Sequence, residues 1–290
     1  MNRARWIGFL CLGITALGWG LNWPGVKILL REWPPLFSRG LAGVAAALIL
    51  AAVAAGRGEQ LKVPREAIPR LLFAAFTNVF AWMGFTNMAM KWISVSEGAL
   101  LVYTMPIWAT LFAWPLLGTR PTLRDVAALA LGVTGLAILF GGQGLSLGHD
   151  KLLGVLLALS SAILFALGNI LNRKPIPVPP IALVAWQVGL GCLAMVVLGV
   201  AFEKPDYGAL SGIGWAVMAY MTIIPMGICY MTWFETLRRL PPATASIGML
   251  IVPPIGVVSA ALILGEPLGL REVLAMAITL GGVMLALQKA

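Results

Sequence analysis

The hydrophobic residues of this chain form long, nearly continuous runs rather than alternating or amphipathic patterns. A helix needs about 20 mostly apolar residues to cross a bilayer, and ten runs reach about that length. The connections between the runs are short, except for the segment at about 56–66. The pattern therefore predicts an all-α polytopic membrane protein with ten transmembrane helices. The runs span about residues 6–29, 36–55, 67–90, 94–117, 122–141, 152–172, 180–202, 211–236, 241–264 and 269–288.

The small and polar residues inside these runs recur at an offset of 147 positions. Residues 92–141 resemble residues 239–288, and the same shift aligns positions nearer the N-terminus. The aligned pairs include Pro106 with Pro253, Gly118 with Gly265, Arg124 with Arg271, Gly135 with Gly282, and Asn22 with Asn169. Because the offset covers five runs, the second copy must enter the membrane upside down, an arrangement typical of transporters. We therefore expect two inverted five-helix repeats, 1–143 and 148–290, around a central cavity.

The composition agrees with a chain that faces lipid over most of its surface. Only 11% of its 290 residues are charged, against about 25% in a typical soluble domain. The net charge of +9 comes from single residues in short connections and forms no patch that would indicate nucleic acid. With the N-terminus inside, thirteen Lys and Arg residues lie in inner segments and seven, Arg39 among them, in outer segments. This positive-inside bias predicts that both termini are cytoplasmic.

The chain lacks the residue patterns that catalysis inside a membrane requires. Its only histidine, His149, lies in a connection beside Asp150, and the runs contain no paired carboxylates and no His, Cys and Asp cluster. An intramembrane hydrolase or transferase needs such groups for proton transfer or nucleophilic attack. We therefore expect a protein that is not an enzyme and that binds no metal and no cofactor.

Aromatic and amide side chains are the notable polar features inside the runs. Trp19, Asn22 and Trp23 share one face of the first helix, and an amide there should point away from lipid. Trp and Tyr can equally mark the membrane interface, and Asn can simply join two helices. We predict that these side chains converge on a substrate site. The candidates are Trp19, Asn22, Asn78, Trp82, Tyr103, Phe165, Asn169, Trp186, Tyr230 and Trp233.

Such a site is expected to be neutral, because no charged residue lies deep within a run. Lys27, Glu97 and Glu235 are near run ends, where long side chains reach the interface. Aromatic walls without fixed charge accept zwitterions and can hold an organic cation by cation–π attraction, whereas they disfavour phosphorylated solutes. The lack of a titratable residue at mid-membrane also favours a facilitator over a proton-driven carrier.

The aligned prolines interrupt two helices at matching depths. Pro106 in the fourth run and Pro253 in the ninth each remove a backbone donor. Membrane helices tolerate this where neighbouring helices or cavity water bind the freed carbonyls. Each proline is therefore either a hinge for a transport motion or a static bend.

These features together resemble the drug/metabolite transporter superfamily and, within it, the EamA family. The resemblance depends on ten helices, inverted copies, the Trp19-x-x-Asn22 pattern and a closing Leu-Gly-Glu-Pro that ends at Pro267. The aromatic content is similar to that of the YddG-type exporters of aromatic amino acids and methyl viologen. The resemblance implies a bacterial inner-membrane exporter whose cavity opens alternately to each side and is formed mainly by helices 1, 3, 4, 6, 8 and 9.

The function expected from all of this is that of a secondary transporter. It would export aromatic and other neutral amino acids, and related small amphiphiles or organic cations, by alternating access. We expect a multi-pass monomer in the bacterial inner membrane that contacts only its small-molecule substrate and lipid. The alternatives are a carrier of nucleotide sugars or phosphorylated sugars from the same superfamily, or a membrane scaffold that transports nothing.

Overall fold

The computed structural model describes residues 3–118, 120, 122–141 and 149–288. Within these ranges the chain consists of helices and short connections and contains no strand. Ten helices are long and apolar enough to cross a membrane, as the runs predicted. They are α1 (Ala4–Leu29), α2 (Pro35–Gly56), α3 (Arg65–Ala89), α4 (Val95–Leu117), α5 (Leu123–Gly141), α6 (Asp150–Leu171), α7 (Pro180–Glu203), α8 (Gly212–Arg239), α9 (Thr244–Leu264) and α10 (Leu270–Leu287). His149 differs from the expectation that it lies in a connection, because the helical backbone that leads into α6 already begins at this residue.

The ends of equivalent helices follow the 147-residue offset. Gly118 ends α4 with φ 72° and Gly265 ends α9 with φ 70°. Only glycine adopts this left-handed conformation without steric cost, so both copies stop the helix at the same place. Helices α5 and α10 then begin at Leu123 and Leu270, which are again aligned positions. The sequence repeat is therefore also a repeat of backbone structure.

Equivalent helices pack against one another in antiparallel pairs, α2 with α7 and α5 with α10. Gly40, early in α2, lies against Val196, late in α7, whereas Ala47 lies beside Gly189. Helix α1 packs on α8 and α9, and its equivalent α6 packs on α3 and α4. This is the packing that two inverted copies produce. The division at 1–143 and 148–290 stays a prediction, because 142–148 lie outside the described ranges.

Helices α4 and α9 are interrupted at the same depth. The α-helical part of α4 ends at Val102 and resumes at Met105, while α9 passes through a 3-10 turn at Met249–Ile251. Both interruptions lie directly before the aligned Pro106 and Pro253, which cannot donate to the preceding turn. The sequence therefore located these irregularities correctly.

Polar cross-links join the helices at the end of the bundle that contains the α1–α2, α3–α4, α7–α8 and α9–α10 connections. We call it the closed end, and the opposite end, which contains both chain termini, the open end. The carboxylate contacts are Glu97 with Lys151 Nζ (2.6 Å), Glu266 with the Val95 amide (2.8 Å), Glu203 with the Phe37 amide (2.9 Å) and Glu32 with the Ser211 amide (2.8 Å). Since each pair joins helices or connections that are separate in the chain, these contacts hold this end together.

Candidate substrate cavity

A cavity of about 1040 Å³ lies between the two copies. Its lining begins at Val26 and Met90, just inside the closed end, where Ile93 is buried. It continues to Asn169 and Leu287 near the open end, and Asn169 is exposed. The cavity is therefore reached from the end that contains both termini. Its volume is at the upper limit of a typical small-molecule site.

One wall of the cavity is an aromatic cluster between α1 and α8. The Trp19 ring packs on Tyr230 (centroids 5.7 Å apart) and on Trp233 (6.1 Å). Its indole N–H donates to the Pro225 carbonyl at 2.9 Å. Pro225 lies in a π-helical turn of α8, Ile224–Ile228, a type of irregularity common at functional sites. The indole is thus fixed in orientation, with its polar atom bonded to protein.

The opposite wall comes from α3 and α6. The rings of Trp82 and Phe165 pack with centroids 4.7 Å apart. Two hydroxyls support them, because Thr86 and Ser161 share a hydrogen bond of 2.9 Å and Ser161 also donates to the Trp82 carbonyl. These contacts join α3 to α6 next to the two rings.

Amide side chains supply hydrogen-bonding groups around the cavity. Asn78 donates to Gln187 at 3.4 Å, which connects α3 with α7. Asn169 on α6 is an exposed residue of the lining. Asn22 accepts a hydrogen bond from the Arg39 guanidinium at 3.2 Å. The lining therefore offers both donors and acceptors between its aromatic walls.

The structure brings nine of the ten candidate residues together in this lining. The exception is Trp186, which is 39% exposed and donates its indole N–H to the Leu61 carbonyl. Adjacent helical residues point about 100° apart, so Gln187 faces the cavity and Trp186 does not. Pro106 also lines the cavity, whereas the lining does not include Pro253, which is buried.

The cavity lining contains equivalent positions from the two copies. Residues separated by 147 positions occur together on the cavity surface, which places the cavity on the pseudo-twofold axis. The pairs are Trp19 with Ala166, Asn22 with Asn169, Asn78 with Pro225, Met83 with Tyr230, Thr86 with Trp233, Asn87 with Phe234 and Tyr103 with Leu250. Their side chains differ between copies, so the site is chemically asymmetric.

The expectation of a cavity without fixed charge was wrong. Arg39, which the positive-inside count assigned to an outer segment, lies more than one turn into α2, is 6% exposed and lines the cavity. The signal was present in the sequence, since Arg39 is a cation inside the run 36–55. An intramembrane cation is costly in lipid and therefore marks a protein-facing position. Its place near the start of the run suggested the membrane interface, but α2 turns the side chain toward the axis between the two copies.

The set of helices around the cavity is also larger than the family resemblance implied. In addition to helices 1, 3, 4, 6, 8 and 9, the lining includes Arg39 from α2, Gln187 from α7 and Val283 from α10. Helices α2 and α7 contribute because they pack on each other across the axis.

Comparison with known proteins agrees with this architecture. The model of the EamA-like transporter family matches the chain twice, at residues 6–141 and 152–288. A solved crystal structure superposes with a TM-score of 0.67 at 20% identity, covering 98% of this chain and 97% of that one. At that identity the likeness shows the fold alone.

Several bacterial proteins are similar over most of their length. An uncharacterised transporter, YvbV of Bacillus subtilis, is 27% identical over 90% of this chain and 85% of its own. A probable amino-acid metabolite efflux pump of Salmonella typhimurium is 28% identical over 90% and 88% of the two chains. A probable terminal-alkyne amino-acid exporter of Streptantibioticus cattleyicolor is 24% identical over 98% and 93%.

Proposed function

Because the chain belongs to the EamA-like transporter family, we propose that it is a secondary transporter that exports amino acids by alternating access. Its substrates are aromatic and other neutral amino acids and related small amphiphiles. The observation that supports this most directly is the aromatic and amide-lined cavity on the pseudo-twofold axis, open at one end only. Inverted-repeat carriers bind solute at such a midplane site and then exchange open and closed ends.

The names of two relatives support amino acids as the substrate class. Both the Salmonella and the Streptantibioticus proteins are named for amino-acid export. The cavity chemistry agrees with that class, because an amino acid combines a zwitterionic backbone with a side chain that ranges from small to aromatic. Rings such as Trp82 and Tyr230 provide apolar contact area, and Asn78 and Gln187 provide polar contacts.

A carrier of phosphorylated or nucleotide sugars is supported by one observation, the presence of Arg39 in the cavity. A phosphate group bears up to two negative charges and is usually bound by several cations or by backbone amides at a helix N-terminus. Among the described lining residues Arg39 is the sole basic side chain. The other lining side chains are apolar or bear neutral amide and hydroxyl groups, and this favours a solute with a single carboxylate.

The side from which the cavity loads follows from the orientation of the bundle. With both termini in the cytoplasm, as the positive-inside bias predicts, the open end faces the cytoplasm and can load solute for export. No carboxylate or histidine occurs among the described lining residues, so we propose a facilitator, acting as a monomer, in which the solute gradient drives flux.

The test is transport by the purified full chain in lipid vesicles. Vesicles loaded with unlabelled phenylalanine, leucine or alanine should accumulate the same labelled amino acid by counterflow, whereas protein-free vesicles should not. The initial rate should stay the same when a pH step is imposed. Failure of every amino acid to exchange would overturn the proposed function, and strict dependence on the pH step would overturn the facilitator mechanism alone.

A further inference from the structure

Arg39 is a buried cation that the helix contacts leave incompletely bonded. Its Nη1 donates to Asn22 Oδ1 at 3.2 Å. Its Nε is buried and has no hydrogen-bond partner. A guanidinium has five N–H donors in a planar fork, so the contact with Asn22 leaves most of the bonding capacity of Arg39 unused, in a side chain that lines the cavity.

The surroundings of Arg39 do not neutralise its charge. Among the described residues, no Asp or Glu lines the cavity and no ion pair involves Arg39. Glu203, whose carboxylate lies at the start of α2, accepts hydrogen bonds from the Leu36 and Phe37 amides. A buried charge without a counterion is strongly unfavourable, so a role in packing alone does not explain why an arginine is present.

We propose that Arg39 binds the carboxylate of the transported solute and that Asn22 orients the guanidinium for this contact. The proposal rests on the proposed function, since it names the group by which the same cavity recognises its substrate. Guanidinium and carboxylate match in a planar, two-bond geometry that lysine cannot reproduce. The hydrogen bond to Asn22 Oδ1 restricts rotation of the fork before solute arrives.

This assignment defines a substrate class. A solute that carries a carboxylate and an apolar or zwitterionic remainder is favoured, because it supplies the counterion that the described lining does not provide. Organic cations and simple amines are disfavoured, because they bring a second positive charge to Arg39 with no acidic group in that lining to offset it. The cavity thus selects against the organic cations that its aromatic walls alone would accept.

The first test of the role of Arg39 compares the binding of ligands with and without a carboxylate to the wild-type protein. Phenylalanine, leucine and alanine are each compared with the corresponding amino-acid amide, which keeps the side chain and ammonium but lacks the carboxylate. Binding to the full chain in detergent is measured by isothermal titration and by quenching of cavity tryptophan fluorescence. Since a hydrogen bond to a charged group contributes about 1.5–3 kcal/mol, each amide should bind about ten- to a hundredfold more weakly. N-acetylphenylalanine, which keeps the carboxylate and loses the ammonium charge, should bind better than the amide.

Substitution of Arg39 provides the second test. Arg39→Gln should remove the preference for acid over amide, whereas Arg39→Lys should keep part of it, because charge remains but the fork is lost. Arg31→Gln is the matched control, since Arg31 is an exposed cation in the α1–α2 connection. It should leave the preference unchanged.

The outcomes separate the two proposals. If none of the three amino acids binds or exchanges in the wild type, the proposed function is overturned. If they exchange but acid and amide bind equally well, or if Arg39→Gln keeps the full preference, the role of Arg39 is overturned and the function stands. Should Arg39→Gln fail to fold, the wild-type comparison of acid with amide decides by itself.

Discussion

At the residue scale, the type of a residue does not determine whether its side chain points into the cavity. Trp186 and Gln187 are adjacent, yet the amide lines the cavity and the indole bonds to the α2–α3 connection at Leu61. Tyr103 lines the cavity within the interruption of α4. A tryptophan at an exposed position is typical of the membrane interface, and Trp186 fits that role. The two aromatic residues should therefore respond differently to truncation.

Tyr103→Ala should change which amino acids are transported, because it removes a ring from the cavity surface. We expect the rate ratio of phenylalanine to alanine to fall about tenfold, which corresponds to about 1.4 kcal/mol. Trp186→Ala should leave that ratio unchanged. Counterflow rates for the two amino acids measure it, and an equal shift in both variants would contradict the placement of Trp186 outside the site.

Asn22→Ala and Asn169→Ala should each remove most of the flux while the protein remains folded. Asn22 orients Arg39, and Asn169 is its equivalent in the second copy at the open end of the cavity. Loss of a hydrogen bond to a charged group at a binding site lowers affinity about tenfold or more. Exchange rates, with size-exclusion profiles as the folding control, measure the effect. Unchanged flux in both variants would remove the asparagines from the site.

At the element scale, the interruptions of α4 and α9 are the candidate moving parts. Both occur at the cavity depth, before Pro106 and Pro253, and both replace regular α-helical turns. A segment with fewer fixed backbone hydrogen bonds bends at lower cost, which is what a hinge requires. The carboxylate contacts at the closed end are the counterpart, since the proposed alternating access requires them to break when that end opens.

Pro106→Ala tests whether the interruption is a hinge. Alanine restores a backbone donor and should stiffen α4, so we expect exchange to slow about threefold or more while substrate affinity stays the same. Pro253→Ala should act in the same direction because it occupies the aligned position. Rates and binding constants measured side by side distinguish the two effects. Unaltered exchange in both variants would identify the prolines as static bends.

The contact between Glu32 and Ser211 should make the closed end sensitive to acid. The Ser211 hydroxyl and amide both donate to the carboxylate and hold the pKa of Glu32 below its ordinary value. A carboxyl with a lowered folded pKa stabilises the fold above the ordinary pKa, and this stabilisation is lost as the pH falls through the folded value. The melting temperature of the wild type should therefore fall further between about pH 6 and about pH 3 than that of Glu32→Gln. Parallel curves for the two proteins would contradict this.

At the scale of the whole molecule, one end of the bundle is sealed and the other leads to the cavity. One ion pair and several carboxylate–amide contacts join separate elements at the closed end, while Asn169 is exposed near the open end. Inverted copies can exchange these roles, because each helix has an equivalent that crosses in the opposite sense. The proposed alternating access would therefore use only helices and contacts of the kinds that the two copies already contain.

Thiol labelling tests both the sidedness and the orientation. In a background with Cys11, Cys192 and Cys229 replaced by Ala, Asn169→Cys should react with a membrane-impermeant maleimide from the cytoplasmic side. Ile93→Cys, buried at the closed end, should not react from the cytoplasmic side. Labelling in inside-out and right-side-out vesicles measures this. Reaction of Asn169→Cys only from the outer side would contradict cytoplasmic termini and, with them, the direction of loading.

Taken by itself, the sequence determined the ten helices, the 147-residue repeat, the aligned interruptions at Pro106 and Pro253, and most of the aromatic and amide lining. These features depend on local properties, namely the length of apolar runs and the backbone demands of proline and glycine. Only the tertiary structure decided that the side chain of Arg39 lines the cavity and that the side chain of Trp186 does not. The rotation of α2 and α7 about their axes is set by close contacts such as Gly40 against Val196. That rotation decides which side chains meet solute.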